Sequence, residues 1–167
     1  MLGKAGAAAL LALLGTPAAA VSPLTQATAT AKIYKALTIS WVQNLDLGTI
    51  VLSGSTFSGE VVSMNQAGVV TCGSAPGVLL TCSGAPQAAK YRLVGTNNAT
   101  VTISCPAFSL TGPGTLAFTP NAPATVNLGP NGLSAGVVFS IGGSITLGSA
   151  TPDGVYTGTF NVTADYQ

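Results

Sequence analysis

The sequence predicts a single-domain all-β sandwich, and three observations support that prediction. Short runs of β-branched and apolar residues recur along the chain, separated by Gly, Pro and Asn. The length of 167 residues fits one ordinary domain. Apolar residues make up 47% of the chain and charged residues only 5%, so Thr, Ser, Asn and Gly fill most other positions. This composition is typical of an exported β-protein rather than of a cytosolic enzyme.

The beginning of the chain has the pattern of a secretory signal peptide. Lys4 supplies a positive charge, residues 5–14 form an apolar run, and residues 18–20 are a small-residue cleavage motif. The apolar run is shorter than the about 20 residues that a membrane-spanning helix needs. We therefore predict a signal peptide over residues 1–20 and a mature chain without a membrane span.

The charges of the predicted mature chain cancel. Without Lys4, the charged residues are Lys32, Lys35, Lys90 and Arg92 against Asp46, Glu60, Asp153 and Asp165. Nucleic-acid binding requires a basic stripe that neutralises phosphates, and four scattered cations do not provide one. We therefore expect no nucleic-acid partner, and the same shortage argues against attraction to an anionic membrane surface.

Residues 27–41 alternate with a period of two, which predicts β structure. Lys35 interrupts the apolar face, and a lysine is rarely buried without a partner. We therefore predict an outer strand at Thr28–Tyr34 and an inner strand after it. The apolar face of the outer strand consists of Ala27, Ala29, Ala31 and Ile33.

Seven further runs predict the strands in the middle of the chain. They cover residues 47–52, 59–64, 78–81, 89–94, 100–105, 115–119 and 136–147. Residues 111–114, 129–132 and 151–154 are turn sequences, because Pro presets φ and Gly or Asn accepts a positive φ. Short strands at this spacing are typical of a sandwich.

The last residues show the clearest alternation in the chain. Thr, Asn, Asp and Gln form one face, which indicates solvent exposure. The pattern predicts a strand from Tyr156 to Gln167. Its other face consists of Tyr156, Gly158, Phe160, Val162, Ala164 and Tyr166.

The chain has three cysteines, so one stays unpaired if an intramolecular disulfide forms. Cys105 shares the apolar face of its strand, which predicts a small buried residue rather than a reactive nucleophile. Cys72 and Cys82 flank a turn-like segment, and a hairpin would bring their Cα atoms within the about 4.4–6.8 Å that a bridge requires. We predict the pair Cys72–Cys82, and a pairing through Cys105 stays open.

The sequence lacks the usual signs of catalysis. There is no His, which removes the commonest general base and most catalytic zinc sites. The four acids fall in separate predicted elements, and Asp153 and Asp165 are explained as a turn residue and a solvent-facing strand residue. We therefore predict that the protein is not an enzyme and uses no cofactor and no metal.

The two ends of the chain resemble a known family. Residues 158–167 resemble the last strand of chaperone-usher pilins, in which alternation continues to a penultimate Tyr, and Tyr166 matches that position. Residues 45–50 resemble the turn of acidic, apolar and glycine residues after the first body strand of such pilins. The same two ends are also similar to those of a family of uncharacterised exported bacterial domains.

The resemblance implies an immunoglobulin-like sandwich that lacks its last strand and is completed by donor-strand exchange, in which another copy of the chain supplies that strand. The donated residues would be Ala27, Ala29, Ala31 and Ile33. The groove that receives them would be bordered by Tyr156, Phe160, Val162, Ala164 and Tyr166.

The resemblance also implies a domain organisation, partners and a function. Residues 21–35 would be an N-terminal extension and residues 36–167 the sandwich. The partners would be other copies of the chain, a periplasmic chaperone and an outer-membrane usher. The function would be that of a fimbrial subunit, exported through the periplasm into a surface filament that supports adhesion or biofilm formation.

A second function fits part of the sequence. A complete secreted sandwich, with both end strands paired within one chain, would be a stable monomer that binds a surface glycan or protein. Its large rings, however, fall mostly in strands such as those of Trp41 and Tyr91, whereas ligand contacts collect on loops. A hydrolase, the third hypothesis, lacks a plausible base. The sequence therefore favours the structural subunit.

Overall fold

A computed structural model describes residues 25–53, 56–57, 59–73 and 79–167. The predicted signal peptide and Val78, the first residue of one predicted strand, lie outside the described residues. The chain divides into two units, Met1–Lys32 and Ile33–Gln167. In the first unit, residues 25–32 are exposed and form no strand.

The described residues form twelve strands and no helix, which confirms the predicted all-β fold class. No helix capable of crossing a bilayer occurs in this part of the chain. The strands are β1 (Thr38–Gln43), β2 (Thr49–Leu52), β3 (Glu60–Met64), β4 (Val70–Cys72), β5 (Leu80–Ser83), β6 (Ala89–Val94), β7 (Thr100–Ser104), β8 (Phe108–Thr111), β9 (Thr115–Asn121), β10 (Thr125–Asn127), β11 (Val137–Leu147) and β12 (Thr163–Tyr166).

The long strand β11 organises the sheets. Its first half pairs antiparallel with β6, and its second half pairs with β3 on one side and β9 on the other. The resulting sheet has the order β1-β6-β11-β3-β4, with β8 joined to β9, while β10-β7-β12 and β2-β5 form two smaller sheets. Strands β1, β6 and β11 take the places of A, B and E in an immunoglobulin-like sandwich, and β10, β7 and β12 those of C′, C and F.

Two apolar clusters fill the space between the sheets. The first, which contains the fully buried Leu93, lies between the β1-β6-β11 side and the β10-β7-β12 sheet. The second, which contains Phe118, lies between the second half of β11 and the β2-β5 pair. Phe108 connects them, because its ring centroid lies 4.8 Å from that of Phe118 and 5.0 Å from that of Phe160. The two clusters are therefore parts of one core.

Strand β11 passes from one cluster to the other at two adjacent glycines. A Cβ atom on Gly142 would meet the backbone oxygen of Met64, and a Cβ atom on Gly143 would meet the ring of Phe118. Any other residue would push β3 or β9 away from β11. The close packing of these three strands therefore depends on the absence of side chains here.

A disulfide links two of the sheets. Cys72 at the end of β4 and Cys82 in β5 are bonded, with their Cα atoms 5.9 Å apart. This confirms the predicted pair, and Cys105 is the free cysteine. The bond ties the β3-β4 edge to the β2-β5 pair, which carries part of the second cluster.

Two predicted strands differ from the structure. The outer strand Thr28–Tyr34 is not formed in the single chain, because a strand needs a partner for its backbone groups and the described residues pair none with it. The C-terminal strand is shorter than predicted, with Thr157 in an isolated bridge before β12. Continuing the β7-β12 register places Pro106 opposite Asn161, and Pro has no N–H to donate.

We expect Gly143→Val to destabilise the fold by about 2–3 kcal/mol, as overpacking of a core does, because the new side chain collides with Phe118. Thr146→Val, on an exposed position of the same strand, is the control and should change the free energy of unfolding by less than about 0.5 kcal/mol. Chemical denaturation measures both. Equal stabilities of the two variants would contradict the packing described here.

We expect the double variant Cys72→Ser/Cys82→Ser to lose about 2–3 kcal/mol of stability, because the disulfide closes a loop with a sequence separation of 10 and so restricts the unfolded chain. The control is Cys105→Ala, which removes a thiol without opening a loop. Thermal unfolding with and without a reducing agent measures the difference. A reductant that leaves the wild-type melting temperature unchanged would count against this role.

Candidate functional site

Strand β12 has a neighbour on one side only among the described residues, namely β7. The N–H of Gln167 donates to the carbonyl of Thr100 across this pair at 3.1 Å. Because hydrogen-bonding positions alternate along an antiparallel strand, the backbone N–H and C=O of Ala164 and Tyr166 point away from β7. The structure therefore leaves an unpaired strand edge at the position next to F, where an immunoglobulin sandwich has strand G.

An apolar row runs along β12 and the residues just before it. Its members are half-buried rather than buried, although all pack against the first cluster. Residues one strand further in, such as Val101 and Ile103 on β7, are buried. The core is therefore incompletely covered along β12. The row consists of Phe160, Val162, Ala164 and Tyr166.

Strand β1 forms the other side of the same opening. It is the edge strand of the larger sheet, and Ile39 packs half-buried against the first cluster. Trp41 has the same phase as Ile39 and lies opposite Tyr91, yet 62% of its surface is exposed. Its Nε1 donates to Oδ1 of Asn44 at 3.0 Å. We call the space between β1 and the apolar row of β12 the β1–β12 groove.

Tyr166 closes one end of the β1–β12 groove. Its hydroxyl accepts a hydrogen bond from the backbone N–H of Thr96 at 2.8 Å and donates to the carbonyl of Lys35 at 2.9 Å. Tyr34 stacks on its ring with centroids 4.4 Å apart and donates to the carbonyl of Gln167 at 3.1 Å. The end of β12 and the segment before β1 are therefore held side by side.

A glycine makes room for this arrangement. Gly95 is buried, and a Cβ atom on it would meet the hydroxyl of Tyr166 and the side chains of Leu37 and Leu128. The resemblance to pilins singles out Tyr166 in the sequence. Its hydrogen-bond partners are not visible there, because Lys35 and Thr96 are distant from it in the chain.

The predicted groove residues divide into two groups. Four of the five, the members of the apolar row, lie together on the first cluster. Tyr156 lies elsewhere, because its hydroxyl donates to the carbonyl of Pro152 at 2.8 Å and its ring stands beside Gly112. The alternation of Ile39 and Trp41 is visible in the sequence, but that pattern alone does not indicate that the two residues line this groove.

The residues predicted to be donated are exposed in the described chain. Ala27, Ala29 and Ala31 have no strand structure, and Ile33 is 87% exposed. An isoleucine with so much of its surface in water gains little from folding in the single chain. Its burial would require another surface.

Cys105 packs against the first cluster beside Tyr91. It is half-buried, and this burial raises the pKa of its thiol. Burial also raises the pKa of the Tyr91 hydroxyl, and the nearby Cys105 adds to that shift. A raised pKa lowers the thiolate fraction at neutral pH, so the thiol behaves as an apolar packing group.

The described residues offer little else that could bind a small ligand. Within them, no group of three or more Cys, Asp or Glu side chains could hold a metal ion. A shallow depression of about 390 Å³ lies near the end of β1. Its lining includes the polar side chains of Gln43, Gln66, Gln87, Lys90 and Ser140, and no aromatic ring.

Comparison with known protein families gives a match over most of the chain. The family described as a domain of unknown function, DUF4402, matches residues 37–166. The chain belongs to the DUF4402 family. The DUF4402 match begins one residue before β1 and ends at the last residue of β12, so it covers every strand described here. No curated protein and no solved structure was found to match the chain.

We expect Tyr166→Phe to lower the free energy of unfolding by about 1–3 kcal/mol, because the backbone N–H of Thr96 and the carbonyl of Lys35 both lose their partner. Tyr156→Phe is the matched control, since that hydroxyl makes a single bond to a residue four positions earlier. Urea denaturation of the two variants measures the difference. A loss in the control as large as in Tyr166→Phe would show that the bridge adds nothing.

Proposed function

We propose that this DUF4402 protein is a structural subunit of an extracellular bacterial filament, and that its copies join by donor-strand exchange. The unpaired edge of β12 beside a half-covered apolar row carries the proposal. An open edge of this kind invites pairing with another strand, and most proteins protect such edges. Here the occupant is residues 28–34 of a second copy.

The donated segment suits the β1–β12 groove in two ways. Its backbone would hydrogen-bond to the outward N–H and C=O groups of Ala164 and Tyr166. Its period of two would place Ala27, Ala29, Ala31 and Ile33 toward the apolar row and the polar residues toward water. One added strand would thus satisfy the edge and cover the core.

The small side chains of the segment determine where the affinity comes from. Three of its four apolar residues are alanines, which bury little area at about 25 cal/mol per Å². Most of the binding energy would then come from the backbone ladder and from Ile33. Ile33, at 87% exposure in the described chain, gains the most from entering the groove.

The proposal includes the route by which the filament forms. The signal-like residues 1–20 would direct export, and a periplasmic chaperone would cover the β12 edge until an outer-membrane usher brings the next copy. The low charge of the chain, 5% of residues, suits subunits that pack closely outside the cell. The filament would serve adhesion or biofilm formation.

We expect a mature chain that lacks residues 21–33 to remain folded and to form no filaments, because it keeps Tyr34 beside Tyr166 and can accept a strand but cannot donate one. Negative-stain microscopy and size-exclusion chromatography give the readout. The intact mature chain is the control. Filaments of normal length from the truncated chain would refute the proposal.

A pair of point variants sharpens the same test. Ala31→Asn places an amide on the apolar face of the donated segment and should strongly reduce assembly, because a polar group without hydrogen-bond partners is costly to bury. Thr30→Asn puts the same uncharged group on the polar face and should assemble at close to the wild-type extent. Equal assembly of the two variants would mean that this segment does not enter a groove.

The depression lined by Gln43, Gln66 and Gln87 favours a second candidate, a monomeric module that binds a surface glycan. Amide groups suit sugar hydroxyls as hydrogen-bond partners. This candidate requires a chain that stays monomeric at high concentration and binds an immobilised glycan. Loss of that binding in Gln87→Ala, with no filaments from the wild type, would establish it over the filament.

A further inference from the structure

Two charged residues lie on the surfaces that the proposed donor-strand exchange would bring together. We call this contact between two copies the joint. The polar face of the donated segment contains Thr28, Thr30 and Lys32, and the polar face around β12 contains Asn161, Thr163 and Asp165. Each face thus has one charge, and the two charges have opposite signs. This is notable in a chain with 5% charged residues.

Both charged side chains are available for a partner in another copy. Lys32 and Asp165 are exposed, and neither has an ion pair or side-chain hydrogen bond within the residues that the structure describes. Asp165 lies on the strand with the unpaired edge, so a neighbouring strand would come directly beside it.

The position of the segment before β1 indicates the direction that a donated strand would take. Tyr34 and Lys35 lie at the Tyr166 end of β12, so each copy's own N-terminal segment starts from that end. A donor whose folded body lay at this end would compete with that segment for space. In an open chain of copies the donor body must lie at the Phe160 end, which makes the donated strand antiparallel to β12.

Antiparallel registers that keep the apolar face of the donor inward differ by steps of two residues. In the first, Lys32 lies opposite Asn161, and Asp165 lies opposite Thr28. In the second, shifted by two residues, Lys32 lies opposite Thr163 and is the diagonal neighbour of Asp165. A further shift by two would place Lys32 directly opposite Asp165, but it would leave only Ile33 and Ala31 on the apolar row. Diagonal neighbours are within reach of a long side chain such as lysine.

The second register keeps three of the four apolar residues of the donor on the apolar row. Ile33 then lies beside Val162, Ala31 beside Ala164, and Ala29 beside Tyr166. Ala27 loses its place on the row, and Phe160, which lies opposite Ile33 in the first register, lies opposite Lys35 of the donor. The two registers thus differ in apolar contact at Phe160 and in charge contact at Asp165, and of these two the second alone brings Lys32 within reach of Asp165.

We infer that Lys32 of the donating copy pairs with Asp165 of the accepting copy and holds the donated strand in the register that places Lys32 opposite Thr163. The inference depends on the proposed donor-strand exchange. The pair selects the register, and the backbone ladder provides the binding.

A charge swap tests the pair. Lys32→Glu and Asp165→Lys should each slow assembly about two- to five-fold at low salt, the size expected of an exposed pair, and the double variant should recover the wild-type rate. High salt should reduce these differences. Lys90→Glu is the control, since it reverses a charge on β6, outside both the donated segment and β12. Single variants that match this control while filaments form would overturn the pair and leave the filament intact.

A disulfide trap tests the register. In a Cys105→Ser background, Lys32→Cys combined with Thr163→Cys should give a ladder of cross-linked copies under mild oxidation. Lys32→Cys combined with Asn161→Cys should give few cross-links. A ladder from the second combination alone would refute the register. No ladder from either, together with no filaments from the wild type, would refute the donor-strand proposal itself.

Discussion

Every backbone N–H and C=O needs a hydrogen-bond partner, and this need governs the structure. Inside the sandwich this need is met by strand pairing, and β6 meets it most fully because β1 and β11 flank it on both sides over residues 90–93. At β12 it is met on one side only within the described residues. Water can solvate such an edge, but water cannot cover the apolar row behind it.

The position of the opening follows from the topology. In an immunoglobulin-like sandwich the strand next to F covers the core from the side, and the counterpart of F here is β12. The described residues place no strand there, so Phe160 and Val162 on one wall and Trp41 on the other stay partly exposed. A single opening thus exposes both hydrogen-bonding groups and apolar surface. An added strand would pair the hydrogen-bonding groups and cover the apolar surface at the same time.

Local patterns predicted much of the fold, and long-range contacts account for most of what they missed. The predicted strand at 89–94 has the bounds of β6, because alternation over six residues is a clear signal. Strands β4 and β10 have three residues each, too few for a period of two to appear. The C-terminal strand was predicted too long because its interruption depends on Pro106, on a different segment. The Cys72–Cys82 pair was predictable because the two residues have a sequence separation of only 10, although β4 and β5 lie in different sheets and do not form the hairpin that the prediction assumed.

In the candidate site, too, local sequence patterns predicted some features and missed those that depend on long-range contacts. Alternation identified the apolar row of β12, but it also included Tyr156, whose hydroxyl instead bonds to Pro152. Nothing local shows that Tyr166 bridges Thr96 and Lys35, since those residues meet it only after folding. This bridge matters for the proposed joint, because it fixes where each copy's own segment begins relative to its own groove. If that segment left from the Phe160 end instead, it could lie antiparallel in its own groove, and copies would close on themselves rather than form a chain.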